Sequence, residues 1–121
     1  IHLKLAPFFG KIVMSADTET PVAALKTLVQ NFVDERNWRQ FHAPKNLSMS
    51  LAIEAAELME HFQWLTTEQV TSGEGYDLAE VTDELADITS YVLALANALD
   101  IDLSSAVANK MVKNRLKYPL N

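Results

Sequence analysis

Asp77-Leu78-Ala79-Glu80-Val81-Thr82-Asp83-Glu84-Leu85-Ala86-Asp87-Ile88-Thr89-Ser90-Tyr91-Val92-Leu93-Ala94-Leu95-Ala96-Asn97-Ala98-Leu99 carries the pattern that decides the fold. Leu78, Val81, Leu85, Ile88, Val92, Leu95 and Leu99 recur at alternating spacings of three and four, and no Gly or Pro interrupts them. That period lines one face of an α-helix, the face expected to enter the core. Asp77 with Glu80 three residues on is an aspartate version of a capping box, so the helix is expected over residues 77–99. Beside the apolar stripe, Glu80, Glu84, Asp87 and Tyr91 form a second stripe of the same period. This helix therefore presents one apolar face and one acidic face.

On the N-terminal side, Leu25, Leu28, Val29, Phe32 and Val33 repeat the helical period after Thr20 as cap and Pro21 at the first position, which predicts a helix over residues 20–41. His42-Ala43-Pro44-Lys45-Asn46 breaks it, and a second helix follows over 47–64 with Asn46 as its simplest cap. Residues 66–76, with Gly73 and Gly75, read as a flexible connection. Asp102 caps a last helix through Ala106, Val107, Met111 and Leu116, which Pro119 ends. With strand signals scarce and no internal repeat, the expectation is an all-α, four-helix bundle spanning residues 20–121. Residues 1–19 read as an N-terminal extension outside that domain, because residues 1–13 show no helical period and Met14 would make an ordinary start.

A chain of 121 residues, 49% hydrophobic, is the size of one domain, and at that size a helical chain leaves apolar surface near solvent. A homodimer or homotetramer is therefore expected. The net charge of −6 argues against a nucleic-acid polymer as partner, since such binders displace counterions with a basic patch. Without cysteine there is no disulfide, thiolate zinc site or cysteine nucleophile. No run of about 18 apolar residues suggests a membrane span, so the chain reads as soluble and cytoplasmic.

On the second helix Glu54 and Glu57 extend into a stripe with Ser50, His61 and Trp64. If the two acidic faces meet, Glu54, Glu57, Glu84 and Asp87 converge, and carboxylates brought that close repel or take up protons. Mg²⁺, with Mn²⁺ able to substitute, resolves the conflict: it prefers oxygen ligands and is commonly completed by phosphates. Residues 49–108 contain no Lys or Arg to pair with these acids locally. Two other readings stay open, a merely solvated acidic face and a non-catalytic acidic helical interaction module for a basic partner. A carboxylate-bridged di-iron bundle is disfavoured, since it adds Glu-x-x-His pairs and none occurs.

Glu54-Ala55-Ala56-Glu57 followed by Glu84-Leu85-Ala86-Asp87 resembles the two acidic half-motifs of the MazG-like nucleotide pyrophosphohydrolases, in the all-α NTP pyrophosphatase superfamily. Arg36-Asn37-Trp38-Arg39-Gln40-Phe41-His42-Ala43-Pro44-Lys45-Asn46-Leu47, Phe62-Gln63-Trp64 and Asn109-Lys110-Met111-Val112-Lys113-Asn114-Arg115-Leu116-Lys117-Tyr118-Pro119 are similar to the subtype containing the dCTP pyrophosphatases. Ile53 stands where many MazG-like members carry a further Glu, which agrees with that subtype. The resemblance implies cleavage of a nucleoside triphosphate, the deoxy form favoured, between the α and β phosphates, in a house-cleaning role. It implies metal and catalytic roles for Glu54, Glu57, Glu84 and Asp87, base stacking on Trp38 and Trp64, polar or edge contacts from His42 and Tyr91, and phosphate contacts for Lys110 and Asn114; a ring at Tyr91, one turn beyond Asp87, is also placed to pack on the sugar. Taken singly, these aromatics could equally pack in a core, and the cations could simply complement a helix C-terminus.

Overall fold

The structure, a computed structural model, describes residues 16–121. The reading of residues 1–13 as an appendage lies outside the described residues. Five α-helices and no strand occur among the described residues: α1 (Val22–Glu35), α2 (Pro44–Glu60), α3 (Thr67–Thr71), α4 (Leu78–Leu99) and α5 (Leu103–Lys117). The all-α expectation holds, with one short helix more than the sequence suggests.

The differences lie at the ends of helices, and each has a local cause. Pro21 is the N-cap of α1 rather than its first residue: its backbone is extended (ψ 156°), and its carbonyl accepts from the N–H groups of Ala24 and Leu25. The helix stops at Glu35, not near residue 41, because Asn37 adopts a left-handed φ of 57°. Trp38 N–H then donates to Val33 O and Asn37 N–H to Asp34 O, the paired bonds of a Schellman ending, and a 3₁₀ turn follows at Arg39–Phe41. Asn tolerates that conformation better than most residues.

Pro44 begins α2 instead of delaying it. Ala43 before it is extended, and a proline at the first helical position loses no hydrogen bond. Asn46 is consequently inside the helix rather than its cap, and its Nδ2 donates to Phe41 O at 3.3 Å. The helix ends at Glu60, short of residue 64, as the His61, Phe62 and Leu65 N–H groups bond three residues back. The supposedly flexible connection contains α3, started by a full capping box in which Gln69 N–H donates to Thr66 Oγ1 and Thr66 N–H to Gln69 Oε1. Gly75 after it sits at φ 83°, where an added Cβ would lie 2.6 Å from Leu65 Cδ2. Asp77 caps α4 by accepting from Ala79 and Glu80 N–H, and Asp102 caps α5 by accepting from Ser105 N–H.

α4 is the central element, packing along α2 and against α1. Val33, Leu47, Leu93, Ala94 and Ala96 are the buried apolar residues. This corrects the expected core stripe: Leu78, Leu85 and Leu99 are 68%, 55% and 51% exposed. The physical reason is that α1 and α2 cover only part of α4, and α5 leaves its end at a bend of 102° instead of packing back over it. Two contacts from α1 hold that corner, Lys26 Nζ to Ile101 O at 2.8 Å and Asn97 Nδ2 to Lys26 O at 3.0 Å. Asp100 makes the turn with a left-handed φ of 54°. No single helix among the described residues is long and apolar enough to cross a membrane.

Candidate active site

The packing of α2 on α4 turns their acidic stripes toward each other. Glu54, Glu84 and Asp87 each offer a carboxylate oxygen within 4.8 Å of the others. Glu57, one turn after Glu54, is exposed and shares a hydrogen bond with it. That hydrogen bond, then burial, then the charges of Glu57, Asp87 and Glu84 push the Glu54 carboxyl up from its ordinary 4.5 to about 7. Oε2 of Glu54 and Oε2 of Glu84 are both buried with no hydrogen-bond partner. Buried acceptors of this kind are costly unless something supplies positive charge or donors. The oxygen-only donor set and the two orphaned oxygens fit a hard divalent cation.

Beside the carboxylates opens a cavity of about 380 Å³. Leu28, Val29, Phe32 and Val33 of α1 form one wall, facing Ser90, Tyr91 and Ala94 of α4. Trp38 and His42 border it from the turn between α1 and α2, while Glu54 and Asp87 give it an acidic end. Trp38 meets Phe32 edge to face at 5.7 Å between centroids, and the Arg36 guanidinium lies 3.7 Å above the Phe32 ring. An apolar slot with a carboxylate cluster at one end can hold a flat ring and present its attached polar groups to the acids.

The structure thus brings together Glu54, Glu84 and Asp87 with Trp38, His42 and Tyr91, and places Glu57 alongside. It does not bring Trp64, Lys110 or Asn114 to this cavity. Trp64 is 86% exposed, which excludes a core role, and Lys110 and Asn114 lie on α5, which packs extensively on no other helix among the described residues. Asn114 is half-buried, with Nδ2 4.0 Å from Met111 Sδ. Leu28, Val29, Phe32 and Ser90 carry no site signal in the sequence, the first three looking only like the apolar face of α1. His61, placed on the stripe without a role, has Nε2 3.8 Å from Glu84 Oε1 and Nδ1 4.0 Å from Glu80 Oε2.

Comparison with known proteins places the chain among relatives of one kind. dCTP pyrophosphatase 1 of Bos taurus is 38% identical over 109 residues, covering 88% of this chain and 64% of the relative. Its Homo sapiens counterpart is 38% identical over 108 residues, covering 87% and 63%. The chain therefore spans less than two thirds of the length of these relatives. The crystal structure of a pyrophosphatase from Archaeoglobus fulgidus superposes with a TM-score of 0.75 at 39% identity, covering 79% of this chain and 90% of that one. The sequence profile described as the MazG-like family matches residues 49–121, a stretch that contains all four acidic positions. By the ordered acidic half-motifs, the helical architecture and this match, the chain belongs to the MazG-like family.

Proposed function

We propose that this chain is a Mg²⁺-dependent nucleoside triphosphate pyrophosphohydrolase, cleaving between the α and β phosphates of a deoxynucleotide such as dCTP to give the monophosphate and pyrophosphate. The observation that carries the reading is the convergence of Glu54, Glu84 and Asp87 at the mouth of the apolar cavity between α1 and α4. The relatives' names, dCTP pyrophosphatase 1 and pyrophosphatase, support the same chemistry and favour cytosine as the base.

In this reading Phe32 and Trp38 flank the base, His42 offers a polar edge, and Tyr91 packs on the sugar. Glu54, Glu57, Glu84 and Asp87 would hold Mg²⁺, or Mn²⁺ in its place. A divalent cation bound there supplies neutralisation of triphosphate charge and a lowered pKa for an attacking water. The carboxylates orient that water toward the α-phosphorus and one of them accepts its proton.

Trp64, Lys110 and Asn114 enter this scheme from a second copy. Ile53 on α2, Leu85 on α4 and Met111, Val112 and Leu116 on α5 are exposed large apolar residues, more than an isolated domain normally leaves to water. A homodimer or homotetramer would cover them and bring the cations of one α5 toward the phosphates held by another copy. A cytoplasmic, house-cleaning role on small nucleotides completes the reading.

The test is a panel of deoxy- and ribonucleoside triphosphates incubated with Mg²⁺, with pyrophosphate and orthophosphate separated as products. Pyrophosphate and monophosphate in equal amounts, most from dCTP, is the expected result. Orthophosphate alone at every time point would overturn it.

A further inference from the structure

Beyond the converged carboxylates, the group most directly placed to act on them is His61, the residue at which α2 ends. Its side chain is only 20% exposed. Glu80 and Glu84 stand one turn apart on α4, and the imidazole lies near both: Nδ1 is 4.0 Å from Glu80 Oε2, and Nε2 is 3.8 Å from Glu84 Oε1. The other Glu84 oxygen, Oε2, is the one buried without a partner. The two oxygens of Glu84 are therefore in different situations. Oε1 looks toward a ring nitrogen, and Oε2 is left without one.

We infer that His61 is a positioning residue, holding the Oε1 edge of Glu84 so that Oε2 stays presented to a divalent cation beside Glu54 and Asp87. A carboxylate on a flexible side chain can rotate away from its neighbours' repulsion, and an outer partner on one oxygen removes that freedom. The present separations exceed hydrogen-bond length, and a side-chain shift of about 1 Å closes the Glu84 contact. His61 itself is seated by the backbone, where its N–H donates to Leu58 O at 3.2 Å as α2 ends. Ordinary packing would ask only for volume at this position; positioning asks for a donor.

This inference rests on the proposed metal function, and the experiment separates the two. Mn²⁺ is titrated calorimetrically into the full chain as wild type, His61→Leu and His61→Gln, without nucleotide. Gln places an N–H donor about where Nε2 stands, and Leu fills the space without one. Second-partner losses at metal sites run at roughly 10- to 100-fold in affinity. His61→Leu is expected to lose that much, His61→Gln to recover most of it, and the Mg²⁺ concentration for half-maximal activity to rise in parallel while kcat at saturating Mg²⁺ changes little. If His61→Leu fails to fold, His61→Met takes its place as the donor-free variant. A donor-free variant that binds Mn²⁺ as wild type does overturns the inference alone, as does His61→Gln binding as weakly as the donor-free variant. A wild type that binds no Mn²⁺ overturns the metal reading and the inference with it.

Discussion

Replacing Glu54 by Gln keeps the shape of the side chain while removing one charge from the cluster, and it is expected to make the metal-free protein more stable. Glu54 titrates near 7 instead of 4.5 because it shares a hydrogen bond with Glu57, is partly buried and faces three like charges. Undamped, a displacement of that size corresponds to roughly 3 kcal/mol. The cavity is open to water, and screening brings the figure down to ~1–2 kcal/mol. For a domain of this length that is a rise in Tm of about 4 to 8 °C. The pH dependence follows from the direction of the displacement. A carboxyl whose pKa is raised by folding costs nothing below its unfolded value, costs progressively more from 4.5 upward, and reaches its full cost above about 7. The advantage of Glu54→Gln is thus widest at pH 8 and absent at pH 4.5. Mg²⁺ reverses the order, since a cation at 100 times its Kd adds about 2.7 kcal/mol to the protein that binds it. Thermal melts of both proteins from pH 4.5 to 8, in chelator and in Mg²⁺, read all of this. A variant that melts no higher than wild type at pH 8 in chelator, or whose gain is the same at pH 4.5, refutes the reasoning.

Tyr91→Ala is expected to raise CTP use relative to dCTP by about 5- to 150-fold, because a ring packed on the sugar strips a 2′-hydroxyl of water without replacing it; kcat/KM for both nucleotides in both proteins checks this. Trp38→Ala should weaken nucleotide binding by roughly 1 to 3 kcal/mol, by analogy with base stacking elsewhere, measured by fluorescence or calorimetry. Trp64→Ala, at a site 86% exposed, should leave the melting of a dilute chain near wild type while lowering nucleotide affinity. Leu47→Ala, at the most buried side chain, should cost about 2 to 5 kcal/mol in denaturant unfolding with little direct effect on metal affinity.

How far such features can be read beforehand depends on the range of the force that sets them. α4 was legible because its apolar period and the Asp77 cap agree with each other over the whole segment, and the acidic half-motifs were legible because spacings of three survive any rigid helix. The end of α1 was not, since it turns on one backbone angle at Asn37 while the apolar period runs on toward Phe41. α3 is hard to read although its Thr66-x-x-Gln69 signal is present, because Gly73 and Gly75 beside it mark the segment as a flexible connection. Leu28, Val29 and Phe32 have the pattern of core residues, and only the space left between α1 and α4 makes them walls of a cavity. The exposure of Leu78 and Leu85 had no local signal either: period identifies an apolar face and does not say what covers it.

The corner between α4 and α5 gives Lys26 an influence out of proportion to its position. α5 is a rod of about 22 Å at 1.5 Å per residue, anchored at one end, so it behaves as a lever whose fulcrum is the Asp100 turn. A swing of about 10° there displaces the far tip by roughly 4 Å, Asn114 by about 3 Å and Lys110 by about 2 Å, more than a hydrogen bond to a fixed target tolerates. At that fulcrum the Lys26 side chain on α1 donates from Nζ to Ile101 O, while the Asn97 side chain on α4 donates from Nδ2 to the Lys26 backbone carbonyl, at sequence separations of 75 and 71. A substitution at Lys26, which does not line the cavity beside the carboxylates, removes the Nζ bond and with it one of the two ties that fix the direction in which α5 leaves that corner.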